Sequence, residues 1–244
     1  MVGPGWRRTA PDPALSDWAA AALPLAHAAL ASSDDPLRCG GTWAVGLDLL
    51  PNDDSGTVGG VALPWDLLGL PRTALHPAQV SVIHPGYPQP SPDESDAAFG
   101  FRRNRDAAHL DGVLPVGPAR RRMVKEPHGF ILGLPLAGCG AGASPLVVWE
   151  GSHLVMRTAL QRALQPHPQE FWNEVDITEA YTAARAEVFA NCRRVEVVAL
   201  PGEAVLLHRL LIHGVAPWRS GDAPRLIAYF RPVLPSVAEW LMSD

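Results

Sequence analysis

Pro201-Gly202-Glu203-Ala204-Val205-Leu206-Leu207-His208 reads as a turn feeding an apolar strand, and Leu211-Ile212-His213-Gly214 follows it directly. Pro and Gly punctuate the chain, while a short run of Ala, Val and Leu between such signals has the composition of a buried strand. The same pattern recurs on both sides. Strands are expected at residues 80–83, 130–136, 146–150, 194–200, 204–207 and 225–233. A further one is expected at 42–50, where Trp43, Val45, Leu47 and Leu49 alternate onto one face before Pro51-Asn52-Asp53-Asp54 closes it. Helices are added to this frame. Trp18, Ala22, Leu25 and Ala29 fall at helical spacing within 14–31, with Pro24 expected to kink or divide the helix. Residues 155–190 read as a helical insertion with one apolar stripe through Val155, Met156, Ala159, Leu160, Ala163 and Leu164. A second stripe runs through Tyr181, Ala184 and Val188. Strands before and after such an insertion predict a mainly β protein with added helices. The expected architecture is a double-stranded β-helix, the jelly roll also used by cupins, with residues 1–244 forming one domain.

Two blocks carry metal-ligating chemistry: His109-Leu110-Asp111, and His213 with Arg225 twelve positions beyond it. On a strand, residues two apart leave the same face, so His109 and Asp111 can reach one ion, with His213 supplied by another strand. Two imidazoles and one carboxylate on one face of an iron(II) ion leave positions open for a co-substrate and dioxygen. Arg225 offers a planar fork of donors suited to a carboxylate. H-x-D alone also occurs by chance; the strand patterns around these residues are what raise it above coincidence.

In these features the chain resembles the phytanoyl-CoA dioxygenase-like branch of the iron(II)/2-oxoglutarate-dependent oxygenases. The likeness rests on H-x-D-G at His109 to Gly112, the strand ending in Gly151-Ser152-His153, the Pro-Gly-Glu turn before His213-Gly214, and Arg225, and it covers roughly residues 100–232. It implies that His109, Asp111 and His213 hold Fe(II) and that Arg225 anchors the distal carboxylate of 2-oxoglutarate as co-substrate. Two positions depart from the usual pattern. Trp218 stands where a polar residue is common, and Ile227 stands where a hydroxyl residue often assists the anchor. The implied reaction decarboxylates 2-oxoglutarate to succinate and oxidises a small organic substrate with dioxygen, most simply by hydroxylation. A carboxylate ligand at Asp111 fills the position a halide would need, which disfavours halogenation. Two alternatives keep the fold: a cupin-like metalloenzyme that does not use 2-oxoglutarate, and a binding module that has lost turnover.

Composition bounds the rest. A net charge of −5 and a balanced apolar content describe a globular chain and disfavour a general nucleic-acid binder. The run Arg120-Arg121-Arg122 reads as a solvated loop face. Cys39, Cys139 and Cys192 form no C-x-x-C pair and suggest a reducing compartment. With no leader-like start and no long apolar stretch, a cytoplasmic protein without membrane partners is the expectation; the oligomeric state is left open. Residues 84–98 read as an exposed loop at the substrate pocket. Among the other histidines, His153 is expected to be a hydrogen-bonding turn residue and His128 a strand-edge residue. Arg103 and Arg105 share the parity of His109, and Arg231 that of Arg225, which makes them secondary candidates for anion contacts.

Overall fold

The computed structural model describes residues 3–92 and 94–242. In chain order the elements are β1 (Trp6–Arg8), α1 (Pro13–Ala31), β2 (Trp43–Ala44), α2 (Trp65–Leu68), β3 (Gln79–Ile83) and α3 (Asp96–Asn104). Next come β4 (Val113–Val116), β5 (Arg121–Val124), β6 (Phe130–Pro135), β7 (Leu146–Glu150), α4 (Ser152–Leu164) and α5 (Thr178–Asn191). The chain then runs through β8 (Arg193–Val197), β9 (Val205–His208), β10 (His213–Val215), β11 (Arg225–Phe230) and α6 (Val237–Met242).

Alternate side chains on the strands sort these elements into layers. A six-stranded antiparallel sheet has the order β1-β9-β6-β11-β3-β2, and a three-stranded one has the order β10-β7-β8. Leu132, Leu134, Leu206, Leu226, Ala228 and Phe230 leave one face of the large sheet and pack against α1. Their neighbours one position away, Ile131, Val205 and Leu207, leave the other face and meet Leu146, Val148 and Val197 of the small sheet. Val147 and Trp149 leave the outer face of the small sheet and are covered by Met156, Leu160 and Leu164 of α4 and by Tyr181, Ala184 and Val188 of α5. These are the two stripes expected of the insertion. Period-2 alternation thus gives both sheets an inner face and a helix-covered outer face.

Local chemistry explains the helix on the large sheet. Asp12 caps α1 by accepting from the Ala14 amide at 2.8 Å, and Pro13 sits in the first turn, where its missing N–H costs nothing. Trp18 is fully buried, donates its indole N–H to the Gly56 carbonyl at 2.8 Å, and meets Phe230 edge-on at 6.0 Å. Pro24 does not divide α1, which runs unbroken as Pro13–Ala31. Burial of Ala19, Ala22 and Ala26 on either side of it outweighs one lost hydrogen bond.

Three expectations need correction. The strand at 42–50 shrinks to Trp43–Ala44, because Gly46 and Asp48 adopt positive φ and interrupt the pleat. A Cβ on Gly46 would lie 2.4 Å from the Val80 carbonyl oxygen, so only glycine lets the chain approach β3 there. Arg103 and Arg105 lie in α3 and at its C-cap rather than on a strand, and their strand parity with His109 has no meaning. Arg121 and Arg122 belong to β5, paired with β4, and not to a loop. No helix among the described residues is long and apolar enough to cross a membrane.

Candidate metal and co-substrate site

His109 sits in no regular strand, yet its backbone exchanges two hydrogen bonds with His213, at 2.9 and 3.1 Å, and so extends the small sheet by one bridge beyond β10. His213 is opposite Val148 on β7, which faces inward, and both histidines follow it to the inner side. The approach to His109 is held by Asp106. Its carboxylate takes a two-pronged hydrogen bond from Arg194 of β8 at 2.8 and 2.9 Å, and its carbonyl accepts from Val215. On the far side Gly112 turns the chain at φ +81°, and a Cβ there would lie 2.0 Å from the Glu126 carbonyl oxygen. The ligand segment is therefore fixed at both ends by backbone contacts that neighbouring residue types permit.

The ligand atoms of His109, Asp111 and His213 all lie within 4.8 Å of one another. His109 donates its Nδ1–H to the Ala107 carbonyl and His213 donates its own to the Leu211 carbonyl, each at 2.9 Å. Both Nε2 atoms are left facing Asp111 Oδ1, at 3.1 and 3.7 Å. A ring held by an Nδ1–H bond to a carbonyl presents Nε2 as a lone pair, the form that binds a metal. The other carboxylate oxygen, Oδ2, accepts from Arg231 at 3.3 Å, and the same guanidinium donates to Gln79 Oε1. Burial works to raise the Asp111 carboxyl, but the two imidazoles and Arg231 hold it well below the usual carboxylate range. Burial pushes His213 down to about 4 against the pull of Asp111, so its ring is neutral at pH 7. Burial works to lower His109, but its contact with Asp111 raises it, so a positive charge among the three groups is favoured, whether a proton on His109 Nε2 or a metal cation held by all three. The donor set fits a divalent metal.

Arg225 is buried and donates from Nη2 to the Tyr229 hydroxyl at 3.0 Å. Its Nη1 has no hydrogen-bond partner among the described residues. With Ile227 and Tyr229 it lines a narrow cavity between the two sheets whose other walls include Ile131, Leu146 and Leu207. A buried guanidinium without a carboxylate, in an apolar cavity, is a position for an anion. This cavity is distinct from the wider cleft of about 510 Å³ that His109, Asp111 and Arg231 line. The three ligand candidates are thus brought together, and Arg225 is placed on the inner face of the neighbouring sheet.

Some of the surroundings were visible in the sequence and some were not. Tyr229 shares the face of Arg225, and its hydroxyl accepts a hydrogen bond from that guanidinium. Arg231, a secondary candidate for an anion contact, donates to Asp111 Oδ2. His128 donates Nδ1–H to the Arg231 carbonyl at 3.0 Å, beside the site. His153 is no hydrogen-bonding turn residue: it is buried in the first turn of α4, its ring centre 4.8 Å from that of His208 and tilted 42° to it, with neither ring nitrogen bonded among the described residues. His208 ends β9 and His213 begins β10.

No protein-family model matches the sequence. No curated protein matches it either. Solved structures do. The epimerase SnoN in complex with Fe3+, alpha ketoglutarate and nogalamycin RO is 17% identical, matching 93% of this chain and 78% of that one with a TM-score of 0.50. The alpha ketoglutarate dependent carbocyclase SnoK is 13% identical over 97% of this chain and 84% of that one, TM-score 0.48. EctD from S. alaskensis with bound Fe is 17% identical over 93% and 72%, TM-score 0.45. The likeness to SnoN is one of fold.

Proposed function

We propose that this protein is an iron(II)- and 2-oxoglutarate-dependent oxygenase acting on a small organic molecule, with His109, Asp111 and His213 as metal ligands and Arg225 as the co-substrate anchor. The observation that carries this reading is the orientation of the two imidazoles: each is pinned through Nδ1 to a backbone carbonyl and aims Nε2 at the same carboxylate oxygen. The order in which successive strands join the two sheets supports a double-stranded β-helix. From β3 the chain passes to the His109 bridge, then β6, β7, β8, β9, β10 and β11, and these fall in the large, small, large, small, small, large, small and large sheets. Iron and alpha ketoglutarate in SnoN, which shares the fold, agree with the assignment. We read residues 1–244 as one oxygenase domain with α4 and α5 as an insertion on it.

Bound iron would supply dioxygen activation coupled to decarboxylation of the co-substrate. The chain's own residues do the rest. Arg231 fixes the carboxylate plane by holding Oδ2, so that Oδ1 faces the imidazoles. Arg225 and the Tyr229 hydroxyl orient the distal carboxylate of 2-oxoglutarate. The apolar walls of Ile131, Leu146 and Leu207 keep water from that contact.

The test is anaerobic reconstitution with Fe(II), followed by measurement of iron content and of 2-oxoglutarate consumption without added substrate. The wild type is expected to retain about one iron per chain and to turn over slowly. Asp111→Ala is expected to lose both while keeping its fold by circular dichroism. Retained 2-oxoglutarate turnover in Asp111→Ala would remove the assignment.

A further inference from the structure

We propose that the substrate of this site is an organic anion with an apolar body, whose charged group is bound by Arg122 and Arg185. This deepens the oxygenase reading and rests on it for the identity of the site. The cleft of about 510 Å³ that holds His109 and Asp111 is also lined by four arginines. Two of them are already neutralised: Arg102 pairs with Glu94 at 2.6 Å, and Arg231 with Asp111 at 3.3 Å. Arg122 and Arg185 have no carboxylate partner among the described residues. Glu126, the other acid in the cleft, lies 3.4 Å from His128. In a chain of net charge −5, two uncompensated guanidiniums beside the ligand set are a local excess of positive charge that solubility does not require.

Their placement is built rather than incidental. Ile177, just before α5, donates its amide to the Arg122 carbonyl at 2.9 Å, and the Thr178 hydroxyl accepts from the Arg122 amide at 2.7 Å. The start of α5 is thereby locked to β5, which brings Arg185, two turns along the helix, to the same cleft. The Arg185 guanidinium lies over the ring of Phe101 at 4.6 Å, with Tyr181 at 5.2 Å and Phe189 at 5.6 Å. Stacking on ring faces fixes the guanidinium plane and leaves its edge donors for an anion, and its Nε is buried with no partner. The Tyr181 hydroxyl accepts from the Leu110 amide at 3.3 Å, so the helix carrying Arg185 is tied to the segment carrying His109 and Asp111. Phe101, Leu110, Val113 and Leu114 supply apolar wall. An apolar wall beside two unpaired planar cations matches a molecule with a hydrocarbon or aromatic body and one carboxylate, sulfonate or phosphate group.

The experiment uses metal-free protein at low salt, with the aromatic sulfonate 8-anilinonaphthalene-1-sulfonate as fluorescent probe and octanoate or octan-1-ol as competitors. Octanoate is expected to displace the probe at about tenfold lower concentration than octan-1-ol, equivalent to about 1.4 kcal/mol. Arg122→Gln and Arg185→Gln are each expected to weaken octanoate by about tenfold and to leave octan-1-ol unchanged. Arg120→Gln, exposed and outside the cleft, should change neither. Arg122→Gln keeps the test sharp if Arg185→Gln fails to fold, because the Arg122 guanidinium has no side-chain partner among the described residues. Equal displacement by octanoate and octan-1-ol, or wild-type octanoate affinity in Arg122→Gln, overturns the inference. So does displacement by 2-oxoglutarate that the two variants abolish, which would give these arginines to the co-substrate. No step uses metal, so arginine-dependent octanoate binding in a protein that takes up no iron would leave this inference standing and remove the oxygenase reading. The converse result would do the reverse.

Discussion

Replacing Arg225 by methionine isolates the proposed co-substrate contact, because methionine keeps a flexible apolar stem in a cavity walled by Ile131, Leu146 and Leu207 while removing the guanidinium. In the free protein this removes a buried charge whose Nη1 has no partner, so stability should hold or rise. In the complex the distal carboxylate of 2-oxoglutarate would lie in the same cavity with only the Tyr229 hydroxyl beside it. Truncating one side of such a desolvated pair costs about 2 to 5 kcal/mol. That is a loss of roughly 30-fold or more in affinity. Arg225→Lys keeps the charge without the fork and is expected to fall between the two. Calorimetric titration of iron and then of 2-oxoglutarate, under anaerobic conditions, reads both halves: iron affinity unchanged, 2-oxoglutarate affinity lost. Unchanged 2-oxoglutarate affinity in Arg225→Met would refute the anchor and favour a metalloenzyme that works without this co-substrate.

Gly112→Ala places a methyl 2.0 Å from the Glu126 carbonyl at a positive φ, so it should displace Asp111 and lower both melting temperature and iron content, read by calorimetry and metal analysis. Trp18→Phe removes the donor to the Gly56 carbonyl and should cost about 1 to 3 kcal/mol in urea unfolding while leaving metal binding intact. His208 is pushed down to about 3 from 6.5, first by burial and then by His153, Arg209 and Arg157. The unfolded chain therefore binds the proton first: this contribution to stability is fully present above 6.5 and is lost as the pH falls from 6.5 toward about 3, by up to about 1.4 kcal/mol per unit. His208→Gln should flatten that acid limb in urea midpoints measured across the range, and an unchanged limb would show that His208 is not its source.

The sequence by itself determined the parts whose physics is local. Short apolar runs between turn signals placed a strand at 146–150 to the residue and one at 225–233 that ends three residues earlier, at Phe230, and helical stripes through Met156, Leu160, Tyr181 and Val188 faced the core as their spacing required. His109, Asp111 and His213 were legible as a candidate ligand set because two-residue spacing and a following glycine are local patterns. Tertiary structure decided what depends on partners distant in the chain. The bridge between His109 and His213 forms only when the small sheet assembles, and the strand expected at 42–50 gives way to glycine-dependent contact with Val80. Arg231 meets Asp111 across 120 positions of sequence. Arg122 and Arg185 carry no mutual signal in the chain, since their pairing exists only because the start of α5 is bonded to β5. Hydrophobic periodicity encodes which face of an element is buried, while the identity of the side chain that meets it across the core is set by packing alone.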